Sequence, residues 1–283
     1  MRILGWERSD HRERTAPEEL NDPKFIDIEK RAPYTQEDSV IFISVDVEAY
    51  ERDHNRITEI GIATLDTVDI GTMSPGKRGI NWMKAIRARH FRIREHGHLK
   101  NQDFINGCAE HFQFGSGHPA YRESQELTYS SESEWISITN APLEISRCFK
   151  PPYSNEAAEA TPEQSNAPGD TVLDTKRNII LVGHDIMTDI KYLKKTGYDP
   201  SNLSNLQELI DTSSMYRAFK REPHPRNLGS ILATLDIEGW YLHNAGNDAV
   251  YTLQAMIGIA ITALLERLDK GAREMESKMR IAE

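Results

Sequence analysis

The sequence predicts an α/β fold in which a mixed β-sheet is flanked by helices. Residues Val40–Val47 form a near-continuous apolar run, as expected for a strand in the centre of a sheet. A second run, Ile57–Leu65, follows after a short polar connection, so these two strands should pair antiparallel. Strand and helix patterns alternate from Asn178 onward, which places further strands and covering helices on the same sheet.

The chain begins with a segment that lacks the pattern of a core element. Residues 1–38 are charged, contain proline and show no hydrophobic period, so we expect a loosely ordered arm there. The predicted domain covers residues 39–270. Residues 271–283 are expected to form a charged helix end or tail.

A basic segment follows the first two predicted strands. Between Lys77 and Lys100 stand eight Lys and Arg residues and one acid, Glu95. Within this segment Arg92 and Arg94 alternate with apolar residues, which predicts a strand that presents cations on one face. Two interpretations remain open, an ordinary solvated face or a surface that tracks the phosphates of a nucleic acid.

The stretch up to residue 176 is less regular. Ser131 or Ser133 is a candidate cap for a helix that carries Trp135, with Pro142 limiting the length of that helix. Residues 151–170 contain four acids and four prolines but no Val, Ile, Leu, Met, Phe or Trp. A segment of this composition cannot bury enough apolar surface to order itself, so we predict a flexible acidic insertion at about residues 151–176.

Regular structure is predicted again in the C-terminal third of the chain. The expected elements are a buried strand at Asn178–Gly183, a helix from Ile186 that stops at Gly197, a strand end at Ile210 running into a helix cap, a short helix at Asn227–Leu235, and a long amphipathic helix from Asn244.

Composition limits the class of protein. The 283 residues are 38% hydrophobic and 28% charged, which is typical of a soluble globular domain. The longest apolar stretch, near Ala255–Leu265, is too short to span a bilayer, and the N-terminus has no secretory apolar core, so no membrane association is expected. Two cysteines, Cys108 and Cys148, make neither a disulfide framework nor a metal knuckle, so we expect a cytoplasmic or nuclear protein. The net charge of −10 argues mildly against a protein that coats nucleic acid.

The most informative residues are two acids near the end of the first strand. Because side chains alternate faces along a strand, Asp46 and Glu48 point the same way, about 7 Å apart. Two buried carboxylates on one face repel each other and are poorly solvated. A divalent cation removes that difficulty, and hard oxygen ligands suit Mg²⁺ or Mn²⁺.

Three later residues are placed to join this pair. Asp189 lies in the first turn of the helix that follows the Asn178 strand, and Asp248 lies in the first turn of the long C-terminal helix, five residues after His243. Each of them alone is more typical of an ordinary acid near a helix start or of a loop histidine. Their joint order is restrictive, because strand ends and helix starts can converge at one edge of a sheet.

In this order the motifs resemble those of the DEDDh 3′-to-5′ exonucleases, which have an RNase H-like fold. The matching segments are Asp46-Val47-Glu48, the Leu181–Asp189 run with Asp189 at the catalytic position, and His243-Asn-Ala-Gly-Asn-Asp248. The tyrosine subtype would carry Tyr four residues before Asp248, where this chain has Asn244, so the histidine subtype fits. The resemblance implies an RNase H-like mixed sheet flanked by helices, with a long middle insertion.

The resemblance also implies a role for each residue. Asp46 would bridge two Mg²⁺ or Mn²⁺ ions, Glu48 and Asp248 would complete one ion site, and Asp189 would support the other. His243 would act as the general base, because its ordinary pKa lies near neutral pH.

The expected substrate is single-stranded nucleic acid, with RNA favoured over DNA. Candidate substrate-binding residues are Tyr50, Arg92, Arg94 and His184. The chain departs from the common family pattern at Ala49 and Tyr50, where Thr or Ser often follows the motif glutamate, and at Asp185, which replaces a common Asn.

A narrower resemblance links the chain to fungal members of the superfamily. They are the "good for full activity" group, which is linked to mRNA-export helicases, and silencing-associated exonucleases. This resemblance implies a protein partner in RNA processing, export or silencing. The alternative hypothesis is a catalytically silent RNase H-like adaptor that binds a nucleic acid or a protein.

Overall fold

A computed structural model of the chain describes residues 40–114, 132–151, 153 and 177–282. The predicted arm at 1–38, nearly all of the predicted insertion at 151–176, and Ser131 therefore lie outside the described residues. The described strands are β1 (Val40–Tyr50), β2 (Asp53–Asp66), β3 (Arg87–Ile93), β4 (Glu134–Ile136), β5 (Asn178–Gly183) and β6 (Leu206–Asp211). The described α-helices are α1 (Thr67–Ile70), α2 (Ile80–Met83), α3 (Ala141–Cys148), α4 (Ile186–Lys195), α5 (Thr212–Lys220), α6 (Leu228–Thr234) and α7 (Ala245–Ala282).

The six strands form one mixed sheet in the order β4-β3-β2-β1-β5-β6. Strand β1 lies near its centre, antiparallel to β2 and parallel to β5, which confirms the predicted α/β class. Strand β1 extends to Tyr50, which pairs with Asp53, so the predicted polar connection is mostly strand. The acids Asp46 and Glu48 consequently lie within β1 rather than at its end.

The helix predicted around Trp135 is wrong. Residues Glu134–Ile136 instead form β4, which pairs parallel to Phe91–Ile93 of β3. The next helix begins at Ala141, with Pro142 in its first turn. Proline is favoured at that position, because the N–H that it lacks would have no partner inside the helix, so Pro142 marks the start of a helix rather than its limit.

Helices cover both faces of the sheet. Helix α7 packs on one face, where its Leu253 and Ile257 meet Phe42 and Leu65 of the sheet. Helices α3 and α4 pack on the opposite face through a second core cluster. The N-terminus of α7 lies directly on β2, because a Cβ atom on Gly61 would stand 1.8 Å from the carbonyl oxygen of Ala245. Only glycine permits this contact, and it brings the first turn of α7 over the middle of the sheet.

Helix α7 corrects one expectation. Its portion Ala245–Gly271 is long and apolar enough to cross a bilayer by length and composition, so the apolar stretch is longer than the sequence suggested. Most of that portion is buried against the sheet, which is typical of the core helix of a folded domain.

The other C-terminal predictions match the structure. Strand β5 has the predicted bounds, and Gly197 follows α4 with a φ of +92°. The Asp211 side chain caps α5 by accepting hydrogen bonds from the N–H groups of Ser213 and Ser214. Asn227 caps α6 in the same way through the N–H of Ser230.

Candidate active site

Two acids of the site come from β1. The side chains of Asp46 and Glu48 share the sheet face that carries α7, while Val45 and Val47 are buried in the opposite core. The period of two in this strand therefore places both carboxylates beside the first turn of α7.

The third acid comes from α4. Asp189 is buried, and its Oδ1 accepts a hydrogen bond of 3.1 Å from the N–H of Val47, the residue between Asp46 and Glu48. This bond joins the start of α4 to β1 and fixes the third carboxylate beside the first two.

The fourth acid and the histidine come from the start of α7. Asp248 is 7% exposed, and one carboxylate oxygen accepts a 2.8 Å hydrogen bond from the N–H of His243. Its Oδ1 is buried and has no hydrogen-bond partner. Glu48, His243 and Asp248 each offer a ligand atom, and these atoms lie within 4.8 Å of one another.

The crowding of acids changes their proton affinities. Burial and the charges of Asp189, Asp248 and Glu48 raise the pKa of Asp46 well above its usual value. Burial, Glu59 and Asp248 raise the pKa of Glu48 to about 8. The pKa of Asp248 rises to about 7, mainly through burial. Each shift indicates a carboxylate whose negative charge is poorly compensated by the protein alone.

This donor set suits a divalent cation. The Oδ1 atom of Asp248 is buried and has no hydrogen-bond partner in the protein. Buried polar atoms in folded proteins nearly always have a partner, and a bound ion can be that partner. Carboxylate oxygens with one imidazole are ligands for Mg²⁺, Mn²⁺ and Zn²⁺. Glu48 and Asp248 fall within the reach of one ion. The charge of Asp189 raises the pKa of Asp46, and the role of both residues as ligands stays a prediction.

The candidate phosphate-binding arginines are engaged with the protein. The guanidinium of Arg92 lies 4.3 Å from the centre of the Trp135 ring and 3.6 Å from Glu110. Arg94 lies beyond the end of β3, where it donates to the carbonyl of Trp135, so the predicted strand alternation does not extend to it. Elsewhere in the basic segment, Arg89 pairs with Glu134. A role for Arg92 and Arg94 on substrate stays a prediction.

The other two substrate-binding candidates lie at different distances from the acids. Tyr50 is half-buried at the β1–β2 turn, two residues beyond Glu48. His184 lies after β5, where its Nδ1 is 3.0 Å from the hydroxyl of Thr212. Burial lowers the pKa of His184, so its ring is neutral at pH 7. Asp185 adopts a left-handed φ of +67°, and its charge contributes to the raised pKa of Asp189.

A buried pair behind the acids was missed by sequence reasoning. Glu59 of β2 is 5% exposed, and its Oε2 lies 2.9 Å from Nε2 of His90, whose side chain is 0% exposed. The other ring nitrogen of His90 lies 2.8 Å from the hydroxyl of Ser133. Glu59 also accepts a 3.4 Å hydrogen bond from the N–H of Ala245, the first residue of α7. The available signal was a glutamate inside the largely apolar run Ile57–Leu65.

We expect His90→Ala to destabilise the protein strongly. It leaves the Glu59 carboxylate buried without its imidazole partner, and breaking a buried pair in this way costs about 3–5 kcal/mol of unfolding free energy. Urea unfolding followed by circular dichroism measures the change. The control His98→Ala, at an exposed position, should stay within about 0.5 kcal/mol of the parent. A loss below about 1 kcal/mol for His90→Ala would contradict a stabilising role for the pair.

Comparison with known proteins places the chain in a family. A family model described as DNA polymerase III subunit epsilon-like, C-terminal domain (DEDDh_C) matches residues 41–259. Among curated proteins, Uncharacterized protein YDR514C of Saccharomyces cerevisiae is 29% identical over 234 residues, covering 77% of this chain and 40% of that protein. Uncharacterized nucleolar protein C2C4.08 of Schizosaccharomyces pombe is 28% identical and covers 76% of this chain and 67% of that protein. Good for full DBP5 activity protein 2 of S. cerevisiae is 26% identical over 251 residues, covering 81% of this chain and 37% of that protein.

Solved structures with some similarity include two nucleases. The zinc-bound complex of Escherichia coli exonuclease I with single-stranded DNA gives a TM-score of 0.40 at 14% identity, covering 82% of this chain and 43% of that one. The nuclease domain of 3′hExo, a DEDDh family member bound to rAMP, gives a TM-score of 0.40 at 13% identity, covering 81% of this chain and 92% of that one. The assignment rests on the family match and on the mixed sheet. With residues 41–259 matched, this chain belongs to the DEDDh family and has its RNase H-like fold.

Proposed function

We propose that the chain is a Mg²⁺- or Mn²⁺-dependent exonuclease that removes nucleotides from the 3′ end of a single strand, RNA in preference to DNA. The observation that carries the proposal is the convergence of Asp46, Glu48, Asp189 and Asp248 beside His243. They come from three separate parts of the chain, and the neighbouring charges that shift their pKa values are all carboxylates. Membership of the DEDDh family supports the same chemistry.

The residues present fit the needs of phosphodiester hydrolysis. Two divalent ions, held by the four acids, would neutralise the charge that develops on the phosphate and on the leaving 3′ oxygen. His243 is exposed and has its pKa lowered by burial of part of its ring, so at pH 7 the imidazole is neutral and can accept a proton from the attacking water. The bond between the His243 N–H and Asp248 holds this imidazole beside the acids.

We extend a nuclear location and a protein partner in RNA processing or export to this chain. Two relatives support this by name, one as a nucleolar protein and the other as a protein good for full DBP5 activity. The chain spans only 40% and 37% of the length of the two Saccharomyces relatives, so partners that bind their remaining parts do not transfer.

The test is degradation of matched RNA and DNA oligonucleotides that carry a 5′ label, in Mn²⁺ and then in Mg²⁺. The expected result is a ladder of products shortened from the 3′ end, faster for RNA, and abolished by EDTA. A blocked 3′ end should prevent the ladder if the direction is correct. If neither ion yields products and neither changes the thermal unfolding temperature, the catalytically silent adaptor is the better description.

A further inference from the structure

An exposed aromatic pair lies immediately before the histidine of the candidate active site. The side chains of Trp240 and Tyr241 are 61% and 48% exposed. Two adjacent exposed aromatic side chains offer apolar area whose burial against a ligand is favourable. His243 follows Tyr241 by two residues, so the backbone of the aromatic pair lies within about 10 Å of the backbone of His243.

The backbone that carries the pair is held by side chains of the protein. The hydroxyl of Tyr251 accepts a 2.9 Å hydrogen bond from the backbone N–H of Trp240 and lies 3.2 Å from the carbonyl oxygen of Trp240. The amide of Asn247 donates to the carbonyl of Tyr241 at 3.1 Å. Tyr251 and Asn247 are themselves buried members of α7, so the pair is fixed to the same helix that carries Asp248.

Two further contacts continue this pattern toward the histidine. The thiol of Cys108 donates to the carbonyl of Leu242 at 3.1 Å, and the N–H of Cys108 donates to the carbonyl of His243 at 3.3 Å. Four consecutive carbonyls, from residue 240 to residue 243, thus have partners. A rigid presentation of aromatic rings lowers the entropy lost when a ligand binds to them.

One ring of the aromatic pair already stacks on a neighbouring ring of the protein. The ring of Tyr241 lies 4.5 Å from the ring of His111, with an angle of 13° between their planes. One face of Tyr241 is therefore covered by an imidazole, and the tyrosine is still 48% exposed. Tyr241 and His243 both adopt positive φ, of 52° and 65°, a conformation that non-glycine residues rarely keep without a structural or functional reason.

The charges nearby favour bases over phosphates as the ligand. Asp236 precedes the pair but forms an ion pair with Arg78, whereas Glu238 accepts a 3.4 Å hydrogen bond from the indole N–H of Trp240. The Glu238 carboxylate beside the indole would repel a phosphate, whereas a nucleobase presents an uncharged π-face.

We infer that Trp240 and Tyr241 form a stacking subsite for bases of the single strand whose 3′ end enters the acid cluster. This subsite deepens the proposed exonuclease function and rests on it. Because every base has a π-face, the subsite selects unpaired bases without selecting their sequence. Bases in a duplex are already stacked on their neighbours and could not use it.

The test is binding of a fluorescein-labelled eight-nucleotide strand to the full chain in EDTA, followed by anisotropy. Trp240→Leu and Tyr241→Leu keep apolar bulk but remove the π-face, and each should weaken binding about 5- to 100-fold. Trp240→Phe keeps an aromatic ring and should restore most of the affinity. The control Leu143→Ala changes an exposed apolar residue on α3 and should leave the affinity unchanged.

Salt separates stacking from phosphate contact. Stacking releases no counterions, so the ratio of affinities between parent and Trp240→Leu should be the same at 50 mM and 200 mM salt. Equal binding by the parent and both leucine variants overturns the subsite, even when the parent degrades the strand. A parent that neither binds nor degrades the strand overturns the proposed function itself. The two failures are thus distinguishable.

Discussion

His243→Ala should lower kcat about 10²- to 10⁴-fold while leaving Mn²⁺ affinity nearly unchanged. The imidazole is the proposed acceptor for the proton of the attacking water, and loss of a general base has an effect of this size. The fold should survive, because the backbone of residue 243 makes hydrogen bonds that alanine keeps. Its N–H donates to Asp248, and its carbonyl accepts from the N–H of Cys108. Single-turnover degradation of a labelled strand measures the rate, and calorimetric titration with Mn²⁺ measures the affinity.

The outcome also decides between two roles for the imidazole. A ligand atom of His243 lies within 4.8 Å of ligand atoms of Glu48 and Asp248, close enough for one ion to contact all three residues. If Mn²⁺ affinity falls together with the rate, the imidazole binds the ion and the proton goes elsewhere. The matched control is His98→Ala, an exposed histidine for which neither quantity should change.

Local patterns predicted the parts of the fold that depend on neighbouring residues in the chain. The alternation of Asp46 and Glu48 follows from the period of two in any strand, and the cap of α5 follows from a side chain and the N–H groups just after it. Strand β5 was predicted with its bounds because its apolar run is continuous and is followed by Gly183.

The features that were missed depend on which strands lie side by side. Glu59 and His90 meet because β2 pairs with β3 in a register that sets Gly61 opposite His90, and the sequence does not show that register. Strand β4 has only three residues, too few for a period to be recognised, and its existence depends on pairing with β3. The pairing of β3 with β4 also brings Arg94 to the carbonyl of Trp135. The charge pattern of the sequence does not predict this hydrogen bond.

Asp46→Asn should act in opposite directions on stability and on function. Asp46 carries a raised pKa because burial and four neighbouring acids disfavour its charge. A neutral amide of the same size removes the repulsion, so in EDTA at pH 8 the variant should unfold at a temperature about 5 °C or more above the parent, equivalent to roughly 2 kcal/mol. With Mn²⁺ the order should reverse, because the parent gains about 2.7 kcal/mol at an ion concentration 100 times the Kd and the variant gains little.

The pH dependence provides the check on the cause. A carboxyl whose folded pKa is raised binds its proton more tightly in the folded state, so it stabilises the fold at low pH and loses that effect as pH rises through the folded pKa. With Glu48 near 8 and Asp248 near 7, parent stability in EDTA should fall between about pH 4 and pH 8, and the fall should be smaller in the variant. At about pH 4, near the ordinary pKa of an unfolded carboxyl group, parent and variant should nearly coincide.

Activity should follow metal binding rather than stability. Losing several kcal/mol of charge stabilisation in the transition state lowers the rate about 10³-fold or more, so the more stable apo-protein should be the inactive one. The control Asp269→Asn, on the exposed part of α7, should alter neither the unfolding temperature nor the response to Mn²⁺. A variant at Asp46 that is less stable in EDTA and still gains stability from Mn²⁺ would show that this carboxylate supports the fold and not the ions. The expected variant is thus more stable than the parent without the metal and inactive with it. This behaviour is expected when mutually repelling acids are held together to bind a cation.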